Sequence, residues 1–332
     1  MEGLEKWLSL LRYDPLPQLL SSKNQAIIFF AKRDLRSERS VPVETLWKLC
    51  TAVKTVERQQ SDGSWKYRDG KLGIRSEENY NQLETYRILG ELVEKYGFNS
   101  IHAAIRKAAG FLFKFQTSEG DFRGTYRKQY SPNYTVAIME LLIEAGYEND
   151  PGIEKSFRWL LSTRQNDGEW AIASRTKNNK ITIALLDAET MRPDQTRPLS
   201  NLVTGVVLHA FAVHSKHRSS SEGKAAGKLL ASRFFKRDVY PDRATVDFWT
   251  KFSYPFWFTD LLSSLDSLSL LGFKMEDPQV KNAVEWFVGK QDKSGLWKVY
   301  MLRGRDKDLN LWICLAIIRV LRRFCTSTDF ER

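Results

Sequence analysis

The sequence predicts an all-α fold made of a repeated helical hairpin. Two observations carry that prediction: one short turn pattern recurs along the chain, and each copy lies between apolar segments with helical spacing. The copies are Gln60-Ser61-Asp62-Gly63-Ser64-Trp65, Gln116-Thr117-Ser118-Glu119-Gly120-Asp121-Phe122, Gln165-Asn166-Asp167-Gly168-Glu169-Trp170 and Gln291-Asp292-Lys293-Ser294-Gly295-Leu296-Trp297. Their closing aromatics are 57, 48 and 127 residues apart, and the last interval holds a degraded copy at 234–240.

The helix before each turn shows its apolar face directly, as in Phe157, Leu160 and Leu161 before Gln165, or Val284, Phe287 and Val288 before Gln291. After each turn come a polar stretch and a second, more apolar helix, expected at 83–96, 134–145, 203–214, 258–271 and 309–324. Pro151-Gly152 and Asp277-Pro278 open outer helices, while Gly146 and Gly272 close inner ones, the usual asymmetry of helix ends. Residues 1–41, with a helix at 25–32, complete the set, so the chain reads as one domain over 1–332 with its repeats clearest over 42–325. The single strand-like stretch is 180–186, inside a long excursion.

Composition agrees with a large globular core: of 332 residues, 42% are hydrophobic, 12% aromatic and 27% charged. No apolar run approaches a membrane span and the first residues lack a secretory pattern, so the cytoplasm is the expected compartment. Cys50, Cys314 and Cys325 are far apart in apolar helical patterns, and are expected to be buried core thiols rather than disulfides or metal ligands. The formal charge of +11 suits a phosphorylated ligand or peripheral contact with an anionic membrane; nucleic acid is disfavoured because the basic residues are dispersed.

A helix ending in Gln followed by Gly-x-Trp resembles the QW motif of squalene and oxidosqualene cyclases, shared in looser form by protein prenyltransferase β-subunits. The resemblance covers about residues 42–325 and implies an α/α toroid, about six hairpins closed around a central cavity. It also implies a structural role for the motif residues and an isoprenoid or related lipid as ligand. In such a ring the loops leading into the inner helices, 66–79, 123–132, 171–199, 240–258 and 298–308, share one rim; they hold 18 basic and 10 acidic residues, so that rim is expected to be electropositive and to favour a phosphate or carboxylate.

The aromatic run 247–260 supplies most candidate site residues: Trp249, Tyr254, Phe256, Trp257 and Phe258 as walls for an isoprenoid or a carbocation, with core packing as the competing reading. Tyr134 and Trp312 on inner helices join them as ligand-binding candidates. Asp247, Asp260 and Asp266 are candidate acids or bases, with helix capping or ion pairing as the alternative for Asp260, and His209 is a candidate buried polar contact. The Asp-x-Asp-Asp motif of the protonating cyclases is not found. The last inner helix reads Asp308-Leu309-Asn310-Leu311-Trp312-Ile313-Cys314, without the His of a prenyltransferase zinc site. Neither a metal nor a cofactor is expected, and His214 and His217 are placed at a solvated helix end. The expectation is a protein that binds an anionic or isoprenoid small molecule, as a cyclase or transferase or as a non-catalytic binder or scaffold using a basic rim.

Overall fold

Helices account for nearly all the regular structure, in an alternating order. The computed structural model describes residues 7–38, 41–68, 75–178, 189–302 and 306–325. Its principal helices are α1 (Leu16–Leu20), α2 (Gln25–Arg36), α3 (Cys50–Val56), α4 (Glu77–Tyr96), α5 (Ala103–Phe113), α6 (Pro132–Leu142), α7 (Pro151–Ser162), α8 (Asn201–Val213), α9 (Ser221–Ala231), α10 (Leu261–Leu270), α11 (Pro278–Lys290) and α12 (Leu309–Cys325). The even-numbered helices pack side by side in chain order, and α12 returns to α2, which closes a ring. Each odd-numbered helix packs outside, on an even-numbered neighbour. The fold is an all-α toroid.

Burial explains which helix goes inside. In α8, 11 of 13 residues are buried, so it can be covered only by neighbours on every side. By contrast α7 buries Ile153, Ser156, Phe157, Trp159 and Leu160, one stripe at three-and-four spacing. Pro151 and Pro278 open outer helices, and Gly146 (φ 97°) and Gly272 (φ 84°) follow inner ones, as expected; Pro132 opens an inner helix in the same way. The one ladder among the described residues joins β1 (Lys251–Phe252) to β2 (Tyr300–Met301) in parallel. The stretch 180–186 lies outside the described residues. No helix among the described residues is long and apolar enough to cross a membrane.

The recurring turns share one geometry, with a register that corrects the sequence reading. Gln59 Nε2, not Gln60, donates to Gly63 O (2.9 Å) and across to Ala104 O (2.8 Å) at the start of α5. Gln116 does the same to Gly120 O and Gly152 O, and Gln291 to Gly295 O and Tyr13 O. In the third turn the position belongs to Arg164, whose Nε reaches Gly168 O at 2.5 Å, rather than to Gln165. The amide therefore stands four residues before the Gly, and the aromatic two after it. The indole N–H groups of Trp65, Trp170 and Trp297 each donate, at 2.8 Å, to a carbonyl ten residues upstream: Thr55, Leu160 and Phe287.

Gly120 shows why these turns need glycine. Its φ is +113°, and an added Cβ would lie 2.6 Å from the carbonyl oxygen of Lys155, a backbone atom that cannot step aside. Gly120→Ala is expected to lower stability by about 3 kcal/mol, from strain and overlap together. Gly110→Ala, exposed in a helix with nothing near the added methyl, should be neutral or stabilising by up to about 1 kcal/mol. Urea denaturation of both variants checks this, and equal midpoints would refute it.

Glu169 lies in the third turn at 1% exposure, with Oε2 lacking a hydrogen-bond partner. Burial, reinforced by Asp167 and opposed by Arg164, pushes its carboxyl up to about 8. The folded state therefore holds a proton that the unfolded chain releases near pH 4.5, and stability should fall as pH rises from there through about 8. Glu169→Gln is expected to remove that slope and raise the melting temperature at pH 9, with little change at pH 4.5; a Gln variant less stable than wild type at pH 9 would contradict it.

The cysteines divide. Cys314 is buried, and burial pushes its thiol up to about 12, whereas Cys325 is half-buried and Cys50 is exposed, contrary to expectation, because α3 is short and lies on the outside.

Candidate active site in the ring interior

The loop between β1 and α10 reaches inner helices on different sides of the ring. Thr259 Oγ1 donates to Leu202 O (2.6 Å) on α8, and the side chains before it reach helices on opposite sides. The Tyr254 ring stacks on Trp312 of α12 (5.6 Å, 9° between planes), Phe256 meets His209 of α8 (5.7 Å), and Trp257 meets Tyr86 of α4 (5.3 Å). Trp257 can approach α4 only because residue 90 is glycine; a Cβ there would be 2.9 Å from its ring. The sequence leaves open whether these rings line a space or pack as core; in the structure Tyr254, Phe256 and Trp257 pack against inner helices on different sides of the ring. Phe256 and Trp257 nevertheless keep part of their surface accessible.

Around these rings the inner helices place charged groups. His209 Nδ1 lies 3.0 Å from Glu140 Oε1, both buried. Burial alone would lower the imidazole pKa, but Glu140, joined by Asp266 and Asp260, outweighs it and raises it. Carboxylate oxygens of Glu94, Glu140 and Glu144 lie within 4.8 Å of one another. Tyr254 OH donates to Glu94 Oε2 (3.2 Å) and accepts from Arg319 Nη1 (3.2 Å); burial, then Glu94, raises the phenol pKa. Arg319 itself pairs with Asp34 on α2 through Nε (2.7 Å). Tyr86 is close enough to Glu140 for the carboxylate to add to the effect of burial in raising its pKa.

The candidates from the sequence scatter over three environments. Tyr254, Phe256, Trp257, His209 and Trp312 meet in the interior, and half-buried Tyr134 joins them through Tyr86 (6.4 Å). Asp266 is interior and bonded to Arg323. Phe258 is half-buried just before α10. Three residues stand apart from that group, and for Asp260 the helix-capping reading holds. Asp260 is the N-cap of α10 in a capping box, accepting from Ser263 N (2.8 Å), so its carboxylate answers a helix end. Asp247 is exposed and paired with Lys251, in a 3₁₀ turn that never enters the ring. Trp249 donates to Lys236 O (2.9 Å) and packs on Phe234, off the interior.

Sequence reasoning missed Glu140, Glu94, Glu144 and the Asp34–Arg319 pair. A signal existed: Glu140 stands between Ile138-Met139 and Leu141-Leu142, and Arg319 between Ile317-Ile318 and Val320-Leu321, charges inside helices apolar on all sides. His214 and His217 are also not at a solvated end. His214 is buried, its Nδ1 accepts from Lys216 N (3.2 Å), and His217 stacks on Phe157 (3.8 Å) and meets Glu154 (3.1 Å). Glu154, His214 and His217, like the three interior glutamates, bring three metal-capable atoms together; Glu154 already meets His217 and Lys216, Glu140 meets His209, and Glu94 accepts from Tyr254.

A closed toroid of paired helices with an aromatic and acidic interior is the architecture of terpenoid cyclases. Residues 136–309 match the model of the squalene-hopene cyclase C-terminal domain, and the chain belongs to that family. Among solved structures, it is similar to a variant of the type II terpene cyclase MstE from Scytonema in complex with geranylgeranyl dihydroxybenzoate. That match has 13% identity and a TM-score of 0.42 and covers 94% of this chain and 98% of that one. A second MstE variant, in complex with merosterolic acid A, matches at 12% identity and a TM-score of 0.36 over 85% and 96% of the two chains. A protein from Actinoplanes matches at 16% identity and a TM-score of 0.31 over 86% and 100%.

Proposed function

We propose that this chain protonates an isoprenoid inside the ring and releases a cyclised or rearranged isomer. The observation that carries the reading is the buried Glu140–His209 pair facing Phe256, Trp257 and Tyr86. In the reactive form the pair carries two protons, one on each partner; the Glu140 carboxyl O–H bond breaks and its proton forms a C–H bond with one carbon of a double bond. The π pair is consumed and a carbocation is left on the more substituted carbon. Protonated His209, donating through Nδ1 to Oε1, stabilises the carboxylate that remains and so strengthens the acid. The aromatic faces stabilise the cation, and the Glu140 carboxylate then takes a proton from a neighbouring carbon, which restores both a double bond and the acid. Phe256 and Trp257, whose surfaces are partly accessible, give way to or cover the substrate.

Incubation with squalene, geranylgeraniol or geranylgeranyl diphosphate, followed by mass spectrometry, tests the reading: a product of unchanged mass and altered retention is expected, and recovery of every substrate unchanged would sink it. The packing of Tyr254 and Trp257 against inner helices favours one alternative, a non-catalytic binder, which predicts ligand-induced stabilisation without product.

A further inference from the structure

We propose that Glu154, His214 and His217 bind one divalent transition-metal ion of the zinc class, which clips the outer helix α7 to the turn between α8 and α9. One ligand-capable atom of each residue lies within 4.8 Å of the others. Two imidazoles and a carboxylate are a donor set that zinc takes in sites with three protein ligands, where water holds the fourth position. The same set disfavours calcium and magnesium, which take oxygen ligands. In the sequence only the His-x-x-His spacing is visible, because the carboxylate stands 63 positions before His217.

The three side chains come from different elements and already stand near a ligating arrangement. Glu154 lies in the first turn of α7, His214 is the C-cap of α8, and His217 opens the 3₁₀ turn His217–Ser219. His217 Nε2 is 3.1 Å from Glu154 Oε2. That is close to the ~3.3 Å between two corners of a zinc tetrahedron with bonds of about 2.0 Å. Packing holds both rings: His217 stacks on Phe157 (3.8 Å, 20° between planes), and His214 meets the same ring edge to face (5.2 Å, 87°). His214 is 5% exposed, and the two imidazoles lie 4.7 Å apart. An apolar shell of this kind orients ligating rings and limits the access of water. The place also favours a cation, since the C-terminal end of the 13-residue α8 carries the negative pole of that helix. The contacts an ion would displace are weak. His214 Nδ1 accepts from Lys216 N at 3.2 Å and from His217 N at 3.5 Å, at and beyond the long end of the hydrogen-bond range. Lys216 Nζ is 3.6 Å from Glu154 Oε1, and its side chain is 71% exposed and can turn into water.

The site shares no residue with the Glu140–His209 pair and does not rest on the protonation reading. Titration calorimetry of the chelator-treated chain with zinc chloride is expected to give one ion per chain with a Kd of about 1 μM or tighter. Cobalt(II) in its place should show the intense visible absorption of four- or five-coordination, which a six-coordinate surface ion lacks. Glu154→Gln, close in shape at a half-buried position, and His217→Ala should each bind zinc at least about 10-fold more weakly. Zinc should raise the melting temperature of the wild-type chain and leave that of Glu154→Gln unchanged, so Glu154→Gln decides the matter even where His217→Ala does not fold. Cys50→Ser, which removes the exposed thiol, and Glu140→Gln, which alters the interior carboxylates, should both bind zinc as the wild type does. A chain that binds no zinc, wild-type affinity in Glu154→Gln, or loss of the ion in Cys50→Ser or Glu140→Gln overturns the proposal.

Discussion

Asp34→Ala is expected to lower stability by about 2–4 kcal/mol, a large share of the margin of a domain of this kind. Asp34 lies on α2 and Arg319 on α12, the two helices whose contact closes the ring, and the guanidinium meets the carboxylate through Nε at 2.7 Å and a terminal nitrogen at 2.5 Å. Arg319 also lies over the Phe30 ring at 4.8 Å. Burial opposes its charge, but Asp34 and Tyr254 outweigh burial and raise its pKa, so removal of Asp34 leaves a half-buried cation that cannot shed its proton. The Asp34→Ala/Arg319→Met double variant should recover most of the loss, because the cost lies in the orphaned charge rather than in the missing pair. The pH dependence has a definite sign. Burial acts to raise the Asp34 pKa, but Arg319 and then Arg33 lower it overall. Its contribution is therefore present above about pH 4 and is lost as pH falls through the lowered folded value. Chemical denaturation of the three proteins decides the matter; a single variant within about 1 kcal/mol of wild type would show that the pair does not hold the ring closed.

Glu140→Gln carries the second large effect: turnover of the isoprenoid found active should fall about 100-fold or more. Glutamine has nearly the same shape and its carbonyl can still accept from His209, so the rings around it need not repack, but it has no acidic proton to give. Glu140→Asp keeps the acid and shortens its reach, and should fall between the two. Full activity in the Gln variant would move the acid to Glu144 or Glu94, whose oxygens lie in the same cluster. Loss of activity together with loss of the folded state would be uninformative about chemistry, so melting of the variant is measured alongside turnover.

The hairpins were legible in the sequence because their signals are local. An amphipathic stripe, a glycine with positive φ and a tryptophan reaching back ten residues all lie within one short segment. The exact amide was misread, since Gln59 and Gln60 are adjacent and only the uniform spacing to Gly63, Gly120 and Gly295 separates them. The interior was less legible. His209 stands out in the sequence as a buried polar residue, but its partner Glu140 is 69 positions away and shares no motif with it. The aromatic run was recognised and its destination was not: Tyr254 meets Trp312 and Glu94 through long-range packing, and nothing in the run itself says whether it lines a space or fills it. Asp260 is the local case: capping is legible from its place before an apolar helix, and Ser263 three residues on completes the capping box.

The Gln291 side chain that grips Tyr13 spans 278 residues. On the ribosome, the first hairpin must therefore wait for nearly the whole chain before the turn that clasps it exists, and α2 must wait for α12. Until then the apolar flanks of the early hairpins have no cover. Assembly of this ring is governed by its last contact rather than its first, so refolding should be slow for a helical protein and prone to association when the chain is truncated at its C-terminal end.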